Sequence, residues 1–188
     1  MNNNKKIIVA ITGASGSIYA QRLLFYMNIL KDKFEVLDIV FSSNAKQVWK
    51  HEMQDDSYNN LNFRAFDNHD FNAPFASGSA NYTTMIICPA SMGIIGRIAN
   101  GVSNDLISRA ADVMLKERQQ LIMVARETPY NLIHLRNMTQ LTESGAIIFP
   151  ATPSFYSQPK SIIELVDTVV LRVIQIAGFD IDSYSWGD

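Results

Sequence analysis

Ile7-Ile8-Val9-Ala10-Ile11-Thr12-Gly13-Ala14-Ser15-Gly16 is the stretch that decides the fold. The apolar run from Ile7 to Ile11 is rich in β-branched residues, as expected of a strand buried on both faces of a parallel sheet. It stops at Thr-Gly, too soon for a secretory signal core or a membrane span. Small residues then turn the chain, and Ser15 or Ser17 can cap a helix that runs to about Leu30.

The same alternation continues along the chain. Glu35–Phe41 reads as a strand, with Ser42-Ser43-Asn44 as its turn and cap and a helix near 44–52. Gln54 to Asn72 is rich in Asn and Asp, has no clear period and reads as a loop. Thr83–Cys88 is a strand stopped by Pro89. Asn104 to Gln119 has helical spacing with an apolar face. Leu121–Ala125 reads as a strand, Asn131–Glu143 as a helix, Ala146–Phe149 as a strand and Ser161–Ile176 as a helix.

This order predicts an α/β fold, a Rossmann-like three-layer sandwich with a mostly parallel sheet and helices on both faces. Right-handed crossovers then bring the loops after each strand to one edge, where such sheets bind ligands.

The chain has 188 residues, 47% of them apolar, which fits one domain with a sizeable core and short tails at 1–5 and 180–188. A net charge of −2 gives no footprint for nucleic acid. A single cysteine, Cys88, excludes an internal disulfide framework and fits a reducing compartment, so a cytoplasmic location is expected. His51, His69 and His134 are scattered, and no metal motif or nucleophile elbow is present.

Only 18% of residues are charged, so cations at the ends of apolar strands are notable. Gly13-Ala14-Ser15-Gly16 can offer backbone N–H groups to a phosphate or a ring edge, or serve as a plain turn. It is not the dinucleotide fingerprint, which would want glycine where Tyr19 stands. Cys88-Pro89-Ala90-Ser91-Met92-Gly93 can let a flat ligand approach, or simply start a helix capped by Ser91. Cys88 reads as a buried strand end.

Arg109 and Lys116 share a helix face, where Asp112 and Glu117 can pair with them. Arg126 and Glu127 close a very apolar strand. There an arginine can grip phosphate and a carboxylate can move a proton. Tyr156 lies in a loop stiffened by Pro153 and Pro159. Arg172 lies inside a helix that is apolar nearly all round, so burial and an anionic partner are expected: Glu164, Asp167 or a bound phosphate. Glu52 by itself reads as a surface acid. The cations and the glycine turn together point to two phosphorylated ligands.

These residues form a recognisable set: T-G-A-S-G-S-I-Y, A-S-G-S at 76–79, R-A-A-D-V-x-L-K-E-R at 109–118, R-E-T-P at 126–129, H-L-R-N-M at 134–138 and F-Y-x-Q-P at 155–159. Together they resemble the UbiX-type flavin prenyltransferases, in the homo-oligomeric FMN-binding flavoproteins. The resemblance spans about Lys6 to Phe179. It implies a dodecamer that, without a metal, transfers a dimethylallyl group from dimethylallyl monophosphate to N5 and C6 of reduced FMN. The product, prenylated FMN, serves UbiD-type decarboxylases, as in ubiquinone biosynthesis.

By the same resemblance Gly13, Ala14, Ser15, Ser42, Ser91, Met92, Gly93, Ile94 and Arg126 hold FMN. Arg109, Lys116, Tyr156 and Arg172 hold the prenyl phosphate. Lys116 and Glu127 assist the leaving phosphate, and Ser15 and Glu52 handle protons near flavin N5. Phe71 stands where some members carry tryptophan, and Ser185-Trp186-Gly187 replaces Arg-Trp-Gly. Two other readings are an FMN-dependent decarboxylase of the same superfamily and a non-catalytic flavin-binding protein. The decarboxylase wants a histidine near the first helix and a P-A-x-x-N loop, and this chain has neither. A storage protein would have no use for the cations.

Overall fold

The structure, a computed structural model, describes residues 5–184 and 187. The tail substitution at Ser185 and Trp186 therefore lies outside the described residues, as do residues 1–4 and 188. The strands are β1 (Lys6–Ile11), β2 (Val36–Phe41), β3 (Arg64–Asp67), β4 (Thr84–Ala90), β5 (Gln120–Ala125) and β6 (Ile147–Pro150). They form one sheet in the order β3-β2-β1-β4-β5-β6, with every pairing parallel. The α-helices are α1 (Ser17–Ile29), α2 (Ser43–Met53), α3 (Met92–Ala99), α4 (Leu106–Lys116), α5 (Leu132–Glu143) and α6 (Ile162–Ile176).

Strand alternation divides the core. Ile7, Val9 and Ile11 face the layer of α1, α2 and α6, with Leu23, Trp49 and Val170. Ile8 and Ala10 face the layer of α3, α4 and α5, with Ile95, Ala110 and Leu141. This is the expected three-layer sandwich. Both faces of β1 lose water, worth about 1.5–3 kcal/mol for each Ile or Val buried.

Two strand expectations need correction. The polar stretch read as loop contains β3. Apolar periodicity does not make this edge strand. An ion pair in register does: Asp38 of β2 stands opposite Arg64 of β3. Its fully buried carboxylate accepts from Arg64 Nε at 2.8 Å and Nη2 at 2.7 Å, and from the Tyr82 hydroxyl. Arg64 also lies over the Phe66 ring, 4.7 Å from its centroid.

Asp38→Ala should therefore cost about 2 kcal/mol, less than a fully buried pair, because Arg64 can rehydrate. Urea unfolding checks the loss. Amide exchange should speed first at residues 64–67.

Pro89 does not stop β4, which runs to Ala90. The ladder slips register between Ile87 and Ala90, so the missing N–H interrupts no regular bond. The Pro89 carbonyl still pairs, accepting from Thr12 N at 3.3 Å and Thr12 Oγ1 at 2.7 Å.

α6 also differs from expectation. Its buried stripe is Val166, Asp167, Val169, Val170, Val173 and Ile174, while Ile162 is 72% exposed. Arg172 follows Asp167 by five residues, about 140° around the helix, and is exposed. Its guanidinium donates to Gln175 Oε1 at 3.3 Å. Asp167 serves Arg22 instead, through two 2.7 Å bonds, and accepts from the Tyr26 hydroxyl at 2.8 Å.

Candidate active site at the carboxyl edge

Three turns are laced together where β1, β4 and β5 end. Buried Thr12 does most of the lacing. Its hydroxyl donates to Pro89 O and accepts from Ser91 N at 2.9 Å. Arg126 N then donates to Ala90 O at 3.2 Å, and Ala151 N to Ala125 O at 2.9 Å. Thr12 was not singled out from sequence. A polar residue closing an apolar run directly before Gly13 was the available signal.

Gly13 is required by proximity. A Cβ there would lie 2.6 Å from Asn44 Cβ and 3.3 Å from the Asn44 carbonyl carbon, so the first turn and the start of α2 are in close contact. Gly16, at φ 107°, is the N-cap of α1 and has no side chain to cap with, which corrects the expected Ser15 or Ser17 cap. Glu52 supplies the anion instead. Its carboxylate accepts from Gly16 N at 3.0 and 3.1 Å and from Ser17 N at 2.7 Å.

Burial raises the Glu52 carboxyl, but hydrogen bonds from Ser15, Ser17 and Gly16 outweigh it and hold it below the usual range. Glu52 is thus part of the first turn, not the plain surface acid it resembles in sequence. Of the backbone N–H groups that the sequence offered to a ligand, it takes that of Gly16.

The remaining helix starts stay available. Ser42 caps α2, accepting from Ala45 N at 3.1 Å, and Ser91 caps α3, accepting from Ile94 N at 3.4 Å. Among the described residues neither hydroxyl donates a hydrogen bond. Met92 and Ile94 side chains are buried in the core, so that loop can present only Ser91, Gly93 and backbone to a ligand. A Cβ on Gly93 would meet nothing closer than Ser91 Oγ at 3.9 Å, so there is room above it. Arg126 is half-buried beside these turns, and exposed Glu127 accepts from Thr128 N at 2.9 Å. The donors fit a phosphate and the polar edge of a flat ring.

The other predicted residues lie apart. Tyr156 is 67% exposed in the loop after β6. Arg172 lines a groove of about 700 Å³ between α1 and α6, with Tyr26, Ser157 and Tyr184. That groove does not include the glycine turn. Arg109 donates to Ala76 O at 3.0 Å and pairs with Asp112 at 3.2 Å.

Lys116, paired with Glu117, ends α4, just before β5 begins. It therefore lies at the amino edge, while Arg126 follows β5 at the carboxyl edge. The strand between them spans roughly 20 Å. Within one chain, then, Lys116 and Arg126 are not gathered at the same edge of the sheet. Sequence spacing along α4 shows which residues share a face, not which sheet edge that face reaches.

His134 is half-buried at the start of α5. It closes a capping box, its N donating to Asn131 Oδ1 at 2.8 Å. Cys88 is buried, and burial pushes its thiol up, as fits an inert strand end. Among the described residues no cluster of three His, Cys, Asp or Glu is placed to hold a metal, and no helix is long and apolar enough to cross a membrane.

A parallel sheet with its turns joined at the carboxyl edge defines the class: an α/β protein with a ligand site at that edge. Comparison narrows it. The Flavoprotein family model matches residues 1–175. The chain is 44% identical to flavin prenyltransferase UbiX of Methanocaldococcus jannaschii, over 97% of this chain and 98% of that one.

The crystal structure of AnUbiX (PadA1) with FMN and dimethylallyl pyrophosphate is similar, with TM-score 0.90 and 39% identity over 97% of this chain and 99% of that one. The dodecameric FMN-dependent UbiX-like decarboxylase of Escherichia coli O157:H7 gives TM-score 0.90 and 32% identity over 97% and 100%. The peptidyl-cysteine decarboxylase EpiD, at 20% identity and TM-score 0.58, shares the fold alone over 89% of this chain and 99% of that one. The chain belongs to the flavoprotein family and, within it, to the UbiX-type flavin prenyltransferases.

Proposed function

We propose that this chain moves the dimethylallyl group of dimethylallyl monophosphate onto reduced FMN, at N5 and then C6, and that the prenylated FMN serves a UbiD-type decarboxylase. The observation that carries this reading is the Ser15–Glu52 couple on the glycine turn. The Glu52 carboxylate, held anionic by the Gly16 and Ser17 amides, lies beside Ser15 on the turn that we assign to FMN. Reduced FMN supplies the electron-rich N5 and ring carbon.

Ser42, Ser91 and Arg126 hold the flavin, together with the backbone of Gly13, Ala14 and residues 92–94. Ser15, steadied by Glu52, takes the proton that leaves N5; at C6 the second bond forms as the prenyl double bond gains a proton and the C6 proton leaves, so the flavin gains C5H8 in all. Tyr156 and Arg172 hold the donor phosphate, and Glu127 protonates it as the carbon–oxygen bond breaks. Cations in a water-poor site stabilise the departing charge.

Lys116 and Arg109 fit this scheme only through assembly. The amino-edge position of Lys116 supports a homo-oligomer in which one copy's α4 completes another's flavin edge. The dodecameric relative supports twelve copies. A single domain in the reducing cytoplasm accords with the one sheet and the buried Cys88.

The test is anaerobic. Protein, reduced FMN and dimethylallyl monophosphate are mixed, and the extracted flavin is weighed. Gain of one C5H8 unit is expected. Unchanged flavin with the donor intact would refute the activity.

A further inference from the structure

The strand ends at the carboxyl edge are tied together in two different ways. Ser42 N donates to Ile11 O at 3.0 Å and Arg126 N to Ala90 O at 3.2 Å, bonds that involve no side chain. Ser91 is tied to the end of β1 through a side chain. Its N–H donates to Thr12 Oγ1 at 2.9 Å, and that hydroxyl donates its one proton to Pro89 O at 2.7 Å. The two bonds straddle Ala90, just where β4 slips register against β5 and the ladder between the strands is irregular. Thr12 is 4% exposed, so water does not readily replace either bond.

Both ends of this link carry groups assigned to FMN: Gly13 follows Thr12 directly, and Ser91 starts the loop before α3. We propose that Thr12 is a positioning residue for FMN, its hydroxyl fixing where Ser91 stands relative to the glycine turn. Thr12 acts through Ser91 rather than by touching the flavin. A binding group already held in place loses less freedom when the ligand arrives. The inference rests on the flavin reading of this edge.

Apo-protein is titrated with oxidised FMN, following the quenching of flavin fluorescence. The proteins compared are the wild type, Thr12→Val, Thr12→Ser, Ser91→Ala and the Thr12→Val/Ser91→Ala double variant. Thr12→Val keeps the shape but leaves Ser91 N without its acceptor, and should bind FMN about tenfold more weakly. Thr12→Ser keeps the hydroxyl and should bind like the wild type. Ser91→Ala should also bind more weakly, and the double variant no more weakly than Ser91→Ala, because Thr12 then has nothing left to position. A double-variant loss equal to the product of the two single losses would overturn the inference. So would wild-type affinity in Thr12→Val or in Ser91→Ala, or a Thr12→Ser as weak as Thr12→Val. Thr12→Ala replaces Thr12→Val throughout if the latter does not fold. A wild type that bound no FMN would overturn the flavin reading itself, and this inference with it.

Discussion

Arg172→Ala should slow prenyl transfer by about 10²-fold or more while FMN affinity stays the same. The guanidinium stands on the exposed face of α6 with Gln175 as its hydrogen-bond partner. It lines the groove between α1 and α6, away from the glycine turn. Little of the fold depends on it, so the loss should fall on the departing phosphate. Single-turnover rates and FMN titration measured together check this division. Parallel loss of flavin and turnover would mean Arg172 belongs to the flavin cradle.

Glu52→Gln should lower the transfer rate by about 10²-fold, the scale of one positioned proton-transfer group. The fold should suffer less, by about 0.5–1 kcal/mol, since an amide oxygen can still meet the α1 amides but brings no charge to the helix start. The pH dependence has a definite sign. The folded-state carboxyl is held below its ordinary value, so its stabilising effect is complete above the usual glutamate range. That effect is lost only as pH falls through the depressed folded value. Wild-type transfer should therefore keep its rate through mildly acidic pH and fail only below the ordinary glutamate range, and the Glu52→Gln variant should lack that acid limb. A rate–pH profile for both proteins decides it.

The parallel sandwich was legible because buried strands announce themselves. Ile7–Ile11, Leu121–Ala125 and the glycine turn have few other readings. β3 was not legible, because its stability comes from Asp38 pairing with Arg64 across strands that lie 26 positions apart in sequence. Pro89 misled because a register slip removes the need for its N–H. The glycine turn, Ser42, Ser91 and Arg126 were legible as strand-end residues. Glu52 was legible only through the family resemblance, since its partners, Gly16 and Ser17, are 36 and 35 positions away. Arg172 misled because an apolar helix buries only the stripe that meets the sheet. Lys116 and Arg126 are ten positions apart yet at opposite edges, a separation that only strand direction reveals.

That separation also sets the decisive test of a site shared between copies. Lys116→Ala and Arg126→Ala chains, carrying different tags, are produced separately and together, and tandem-purified mixed oligomers are assayed for flavin prenylation. Each variant alone should be nearly inactive. Mixed oligomers should regain activity, because some sites then receive Arg126 from one copy and Lys116 from another. Mixed oligomers as inactive as either parent would contradict the account.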